Sequence, residues 1–186
     1  LFADLAGFTP AARTLPPGEV VSYLDRLVCA FDDLCEEHGV DKIKTIGDSY
    51  MAVSGLRGSS AESAIAIGNF AFAMMEIIRR QGPLGGHNLA LRIGIHCGEA
   101  TAGVIGETRV SYDVWGDAVN VASRMESHGE PGRIHVSEAF RALAGDAFTF
   151  NERGSMEIKG LGLARTYFLE DVKAPAHSSA KAQGAV

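Results

Sequence analysis

The sequence lacks most of the short signatures by which phosphate, zinc and acyl-transfer chemistry are read. There is no G-x-x-x-x-G-K-[ST] loop, and the nearest approach to G-x-G-x-x-G, at Gly160-Leu161-Gly162, has Arg165 where the last glycine belongs. Neither a P-loop nor a dinucleotide-binding turn is therefore encoded. H-E-x-x-H, C-x-x-C and G-x-S-x-G are missing too, which sets aside the common zinc-protease, thiol-redox and serine-hydrolase sites. Cysteine is scarce: Cys29, Cys35 and Cys97 are odd in number and not paired in spacing, and no N-x-[ST] acceptor occurs. That pattern predicts a reducing compartment and no disulfide framework. Positive charge is in deficit, with 17 Lys and Arg against 23 Asp and Glu and a net charge of −6. A general nucleic-acid surface would lean the other way, so any anion must be held by local groups. Long apolar runs are also wanting. The most apolar stretch, residues 63–78, contains Asn69 and Glu76 and reads as a core helix, not a membrane span. The chain opens on Leu1, not methionine, and Leu1-Phe2-Ala3 already reads as strand. The expectation is a cytoplasmic piece with a truncated N-terminus, with room upstream for a regulatory or membrane domain.

What is present suits one domain. The chain has 186 residues, 46% hydrophobic and 22% charged, ordinary values for a globular fold that needs no disulfide or metal to close its core. Its 22 glycines exceed the usual ~7%. Residues 1–5 read as a short strand ending in a polar loop. A helix over 19–37 follows, marked by apolar steps of three and four from Val20 to Cys35. Residues 40–46 and 50–53 read as a hairpin about Gly47-Asp48, with Ile43 and Lys44 on opposite faces. A second helix is predicted over 61–80. Then Leu89, Leu91, Ile93 and Ile95 alternate with Ala90, Arg92, Gly94 and His96 as a strand with one buried face. The order so far is βαββαβ, an α+β ferredoxin-like core. Strands near 101–106 and 110–114, a helix over 117–127, a strand over 133–136, a short helix from Ser137 and two late strands form a C-terminal α/β extension. The folded domain is placed at 1–172, and 173–186, rich in Ala, Ser and Lys, is expected to be a flexible tail.

Two constellations carry chemistry. Asp4 ends the first strand and Asp48 sits in the hairpin turn, and in a βαββαβ sheet these strands are neighbours. Two converging carboxylates suit a hard divalent cation, and Gly7-Phe8-Thr9 beside Asp4 offers backbone N–H groups to a phosphate. On spacing alone Asp4 also reads as a loop cap and Asp48 as an ordinary turn residue. Farther along, Asp113 lies at a strand end, while Asn120 and Arg124 share one helix face at i and i+4. An amide above a guanidinium can serve a sugar and a phosphate, and the same pair also reads as a solvated face.

Five motifs in order decide between these readings. Phe2 to Thr9, Lys42 to Met51, Arg92 to Gly98, Tyr112 to Met125 and Ile158 to Gly162 resemble class III nucleotidyl cyclase catalytic domains, in particular bacterial adenylyl cyclases of the mycobacterial type. The likeness runs from about residue 1 to 170. It implies a head-to-tail homodimer with two active sites, each built from both chains. Asp4, Asp48 and the Leu5 carbonyl would bind two Mg²⁺ or Mn²⁺ ions per site. Gly7, Phe8 and Thr9 would hold the β- and γ-phosphates, and Arg92 the terminal phosphate. The partner chain would supply Lys44 and Asp113 to read the base; Asn120 would orient the ribose, Arg124 would stabilise charge on the α-phosphate and Lys159 would grip the triphosphate tail. Departures are Leu161, where many relatives carry a second lysine, and Ala6, where they often carry a larger residue. Adenine offers N1 as acceptor and N6 as donor, which a lysine and an aspartate match; guanine reverses both edges. ATP is the expected substrate, with a guanylyl cyclase and an inactive nucleotide-binding dimerisation module as alternatives.

Overall fold

The computed structural model describes residues 1–56, 59–108, 110–159 and 162–173. The expected flexible tail, apart from Lys173, and the departure at Leu161 lie outside the described residues. Nine strands and five α-helices follow one another among them. β1 (Phe2–Ala6), β2 (Asp41–Ile46), β3 (Ser49–Val53) and β4 (Ala90–Ile95) form one half of a seven-stranded sheet. β7 (Ile134–Ser137), β8 (Phe148–Ile158) and β9 (Gly162–Val172) form the other half. The order is β2-β3-β1-β4-β7-β9-β8. The first four strands pair antiparallel in the ferredoxin-like order, and β7 joins β4 in parallel. β5 (Thr101–Ile105) and β6 (Ser111–Trp115) make a separate hairpin. The expected α+β class and βαββαβ core are borne out.

α2 (Pro17–His38) buries Tyr23, Leu27, Phe31 and Cys35, and α3 (Ser60–Gln81) buries Ala64, Ile67, Phe70, Ala71, Met74 and Ile78 against one sheet face. α3 is long and apolar enough to cross a membrane by length and composition. Its buried stripe makes it the central helix of the core, as expected. α5 (Glu138–Ala144) adds Phe140 to the same core, capped by the Ser137 hydroxyl. α4 (Asp117–Ser127) covers the opposite face, where Ala122 meets Phe2, Met51 and Val114.

Several expectations need correction. A short helix, α1 (Phe8–Thr14), stands in place of the expected loop. Pro10 hides it, although a first-turn proline costs no hydrogen bond. α2 begins at Pro17 itself, because proline is preset for the first helical position. β8 runs for 11 residues and not merely around Glu157. Much of its length is exposed, and two register shifts break the alternation that would have marked it. β4 is covered on both faces, since α4 lies over Arg92 and Gly94. Ile43 and Lys44 do not lie on opposite faces. A β-bulge between Lys42 and Lys44 inserts Ile43 as an extra residue, and both Ile43 and Lys44 turn toward the α4 and β6 side.

Two features seat α4. A Cβ at Gly94 would lie 1.9 Å from the Glu126 nitrogen, so α4 meets β4 at a point where only glycine fits. Behind it, the fully buried His135 of β7 places Nδ1 2.7 Å from the Met125 carbonyl. A carbonyl only accepts, so Nδ1 carries a proton, while Nε2 faces the Arg153 guanidinium at 3.5 Å and serves as the acceptor of a neutral ring. Burial, aided by the Arg153 charge and only partly offset by that hydrogen bond, lowers the His135 pKa to about 4. An unfolded histidine protonates near ~6.5, so between those values the unfolded state binds more protons and stability falls as pH falls. The contribution is at most ~1.4 kcal/mol per pH unit. Urea unfolding of the His135→Gln protein is expected to show a shallower loss of stability from pH 6.5 to 4 than the parent chain. Equal slopes would refute the assignment.

Candidate active site

The β1–β4 ladder sets Asp4 directly across from Arg92. Arg92 Nη2 donates to Asp4 Oδ2 at 3.1 Å, and its Nε donates to Glu126 Oε1 at 2.6 Å. The guanidinium thus bridges strand β1 and helix α4, with Glu126 buried and Asp4 and Arg92 half-buried. Burial pushes the Glu126 carboxyl up; Arg92 opposes the shift, and the charges of Asp4 and Asp48 add to it. Asp48 follows Gly47 in the β2–β3 turn, where Gly47 takes φ 64°, a left-handed value that glycine adopts without strain. Burial raises the Asp48 pKa, and the neighbouring Asp4 charge adds to the rise. Asp4, Asp48 and Glu126 therefore crowd negative charge that one Arg92 neutralises incompletely.

That imbalance suits a cation. Among the described residues no group of three or more His, Cys, Asp or Glu side chains could form a protein cage. Mg²⁺ and Mn²⁺ do not need one, since one or two carboxylates, substrate phosphates and water complete their shell. Asp4 and Asp48 fit that donor set. The Leu5 side chain is buried in the core, so its only possible ligand is the backbone carbonyl. Gly7 takes φ 89° at the start of α1, and Phe8 and Thr9 follow in the first turn, where helix N–H groups have no partner within the helix.

A second group joins the bulged β2–β3 hairpin to β6. Lys44 Nζ is 2.5 Å from Asp113 Oδ2, and the Val114 N–H donates to Asp113 Oδ1 at 2.9 Å. The Lys44 hydrogen bond, assisted by the Val114 N–H, holds the Asp113 carboxyl below the usual range. Asn120 and Arg124 sit on the exposed face of α4, while Val121, Ala122, Met125 and Glu126 are buried. Lys159 is exposed in the turn after β8. Among the described residues none of these three side chains bonds to the Asp4–Arg92–Glu126 group. The structure thus joins Asp4 to Arg92 with Asp48 beside them, joins Lys44 to Asp113, and leaves Asn120, Arg124 and Lys159 facing outward. His96 is a half-buried histidine whose Nδ1 lies 2.8 Å from the Ser137 hydroxyl. Glu126 escaped sequence reasoning. Its signal was a carboxylate four residues after Ala122, on the apolar side of an amphipathic helix.

Comparison with known proteins agrees with this geometry. Residues 1–171 match the family described as adenylate and guanylate cyclase catalytic domain. An adenylate cyclase of Mycobacterium tuberculosis is 44% identical over 169 residues, which cover 91% of this chain and 38% of that protein. The human guanylate cyclase soluble subunit beta-2 is 41% identical over 91% of this chain and 28% of its own length. The guanylate cyclase domain of RhGC from Catenaria anguillulae, solved with GTP, superposes with a TM-score of 0.87 at 32% identity, covering 92% of this chain and 94% of that one. The chain spans about two fifths of the mycobacterial relatives it matches. With the family match running nearly end to end over a sheet of the same architecture, the chain belongs to the class III nucleotidyl cyclases, as a catalytic domain.

Proposed function

We propose that this domain converts ATP to 3′,5′-cyclic AMP and pyrophosphate. The observation that carries the choice of base is the Lys44–Asp113 pair, a donor beside an acceptor. Those groups match adenine N1 and N6 and mismatch both edges of guanine. The 3′-oxygen attacks the α-phosphorus, the bond to the β-phosphate oxygen breaks, pyrophosphate leaves, and the 3′-hydroxyl proton passes to solvent. Two Mg²⁺ or Mn²⁺ ions, held by Asp4, Asp48 and the Leu5 carbonyl, would lower the pKa of the attacking hydroxyl and neutralise the departing charge. Gly7, Phe8 and Thr9 hold the β- and γ-phosphates through their amides, and Arg92 binds the terminal phosphate from a perch on Glu126. Asn120 orients the ribose and Arg124 stabilises charge on the α-phosphate, with Lys159 on the triphosphate tail.

α4 supports a shared site. Its inner face gives Glu126 to the Asp4 group of its own chain, and its outer face presents Asn120 and Arg124 away from that group. A head-to-tail homodimer brings the outer face of one chain to the Asp4 group of the other and makes two sites. The exposed Val104, Ile105, Val110 and Trp115 on or beside the β5–β6 hairpin suit such an interface. The reading places the domain in the cytoplasm, where its three free thiols stay reduced, either alone or as the cytosolic part of a membrane protein.

Incubation with Mn²⁺-ATP is expected to yield cyclic AMP and pyrophosphate, and the Asp4→Ala protein to fold and dimerise without turnover. No cyclic product from the parent chain would leave only a nucleotide-binding module. Lys44→Glu combined with Asp113→Asn is expected to move preference toward GTP in parallel assays; undiminished preference for ATP would sink the base assignment. Glu126→Gln keeps shape and drops the charge that seats Arg92. It is expected to raise KM for ATP about tenfold, the loss of one charge-assisted hydrogen bond, and an unchanged KM would remove Glu126 from phosphate binding.

A further inference from the structure

Lys42 and Lys44 are two residues apart in one strand, and regular alternation would give them the same face. They point to opposite faces. Lys42 Nζ is 2.6 Å from Asp32 Oδ2 of α2, on the helix-covered side, whereas Lys44 Nζ reaches Asp113 on the α4 and β6 side. The cause is the bulge. In the ladder Lys42 opposes Ala52 and Lys44 opposes Met51, so Ile43 is the extra residue. Ala52 belongs to the core beneath α2 and α3, while Met51 packs with Phe2, Val114 and Ala122 and with Ile43. One added residue thus re-aims the side chain that follows it.

A bulge needs something to hold its register. Asp32 supplies it from the neighbouring helix by engaging both strands of the hairpin. One carboxylate oxygen accepts from Lys42 on β2, and the other accepts from the buried Tyr50 hydroxyl on β3 at 2.7 Å. The Lys42 ammonium also lies 5.4 Å from the centre of the Tyr50 ring. Tyr50 opposes Thr45, so the brace grips β2 at the residue before the bulge and β3 two pairs beyond it, past the Lys44–Met51 pair.

We infer that Asp32 and Lys42 are positioning residues for base recognition, which hold the Ile43 bulge from the helix side so that Lys44 meets Asp113 on the substrate side. An ion pair this exposed would otherwise count for little and would affect every substrate alike. The inference rests on the adenylyl cyclase reading for its consequence in catalysis, but not for its geometry.

The test has two arms, both on the whole chain. In the nucleotide-free protein, NMR titration of the Asp113 carboxyl is expected to give a higher midpoint in Lys42→Met and in Asp32→Asn, approaching ~3.9, because Lys44 withdraws. An unmoved midpoint in both overturns the inference whatever the protein catalyses. In the second arm, kcat/KM for ATP and for GTP are measured for the parent, Lys42→Met, Lys44→Ala and the double variant. Lys42→Met is expected to lower the ATP-to-GTP ratio about tenfold, mainly through KM for ATP, and to change nothing further in the Lys44→Ala background. An equal fall for both nucleotides, or an undiminished effect in that background, would mark a structural brace only and overturn the inference. A parent chain without ATP preference would refute the functional reading, while the titration arm still decides the positioning role.

Discussion

The passage of α4 over β4 at Gly94 is the constraint from which the site follows. No side chain fits between the strand and the backbone at Met125 and Glu126, so the helix lies against the sheet and not a side-chain layer above it. That closeness lets Glu126 reach Arg92 and lets Arg92 reach Asp4 across the β1–β4 ladder. His135 fixes the same stretch from behind by donating to the Met125 carbonyl. A half-buried guanidinium between two carboxylates is costly to assemble unless every partner is in place, and here one glycine and one neutral histidine seat the helix that completes it.

The electrostatics resolve an apparent contradiction in the composition. A chain of net charge −6 seems ill suited to a polyanionic nucleotide. Yet the acidic excess is concentrated where it matters: Asp4, Asp48 and Glu126 outnumber Arg92, and the carboxyl pKa values of Asp48 and Glu126 are raised by burial. On the proposed function such a group would attract divalent cations first, and the cations would then attract phosphate. The negative charge of the protein and that of the ligand do not oppose one another when they share counter-ions.

The elements that the sequence displayed plainly were those with unbroken periodicity. α2, α3 and β4 showed regular apolar spacing, and the ordered motifs brought Asp4, Asp48, Arg92, Asp113, Asn120 and Arg124 to notice. What it hid were interruptions. α1 was masked by Pro10, β8 by its exposed length and register shifts, and the face of Lys44 by a bulge that alternation cannot foresee. Glu126 was hidden for another reason. Its partner Arg92 is 34 residues away, and no local pattern records a pairing made only when a helix folds back across a strand.

The Lys44–Asp113 pair has one further consequence. Its two groups satisfy each other at 2.5 Å, so neither presents a lone charge to water or to a passing ion. On the proposed function, binding a base would be an exchange in which one ion pair opens and two new hydrogen bonds close. A base with the complementary edge repays both partners. A base with the reversed edge would satisfy neither and would compete against a contact that re-forms when it departs, so on that reading the pair sets a threshold for entry as well as a pattern for recognition.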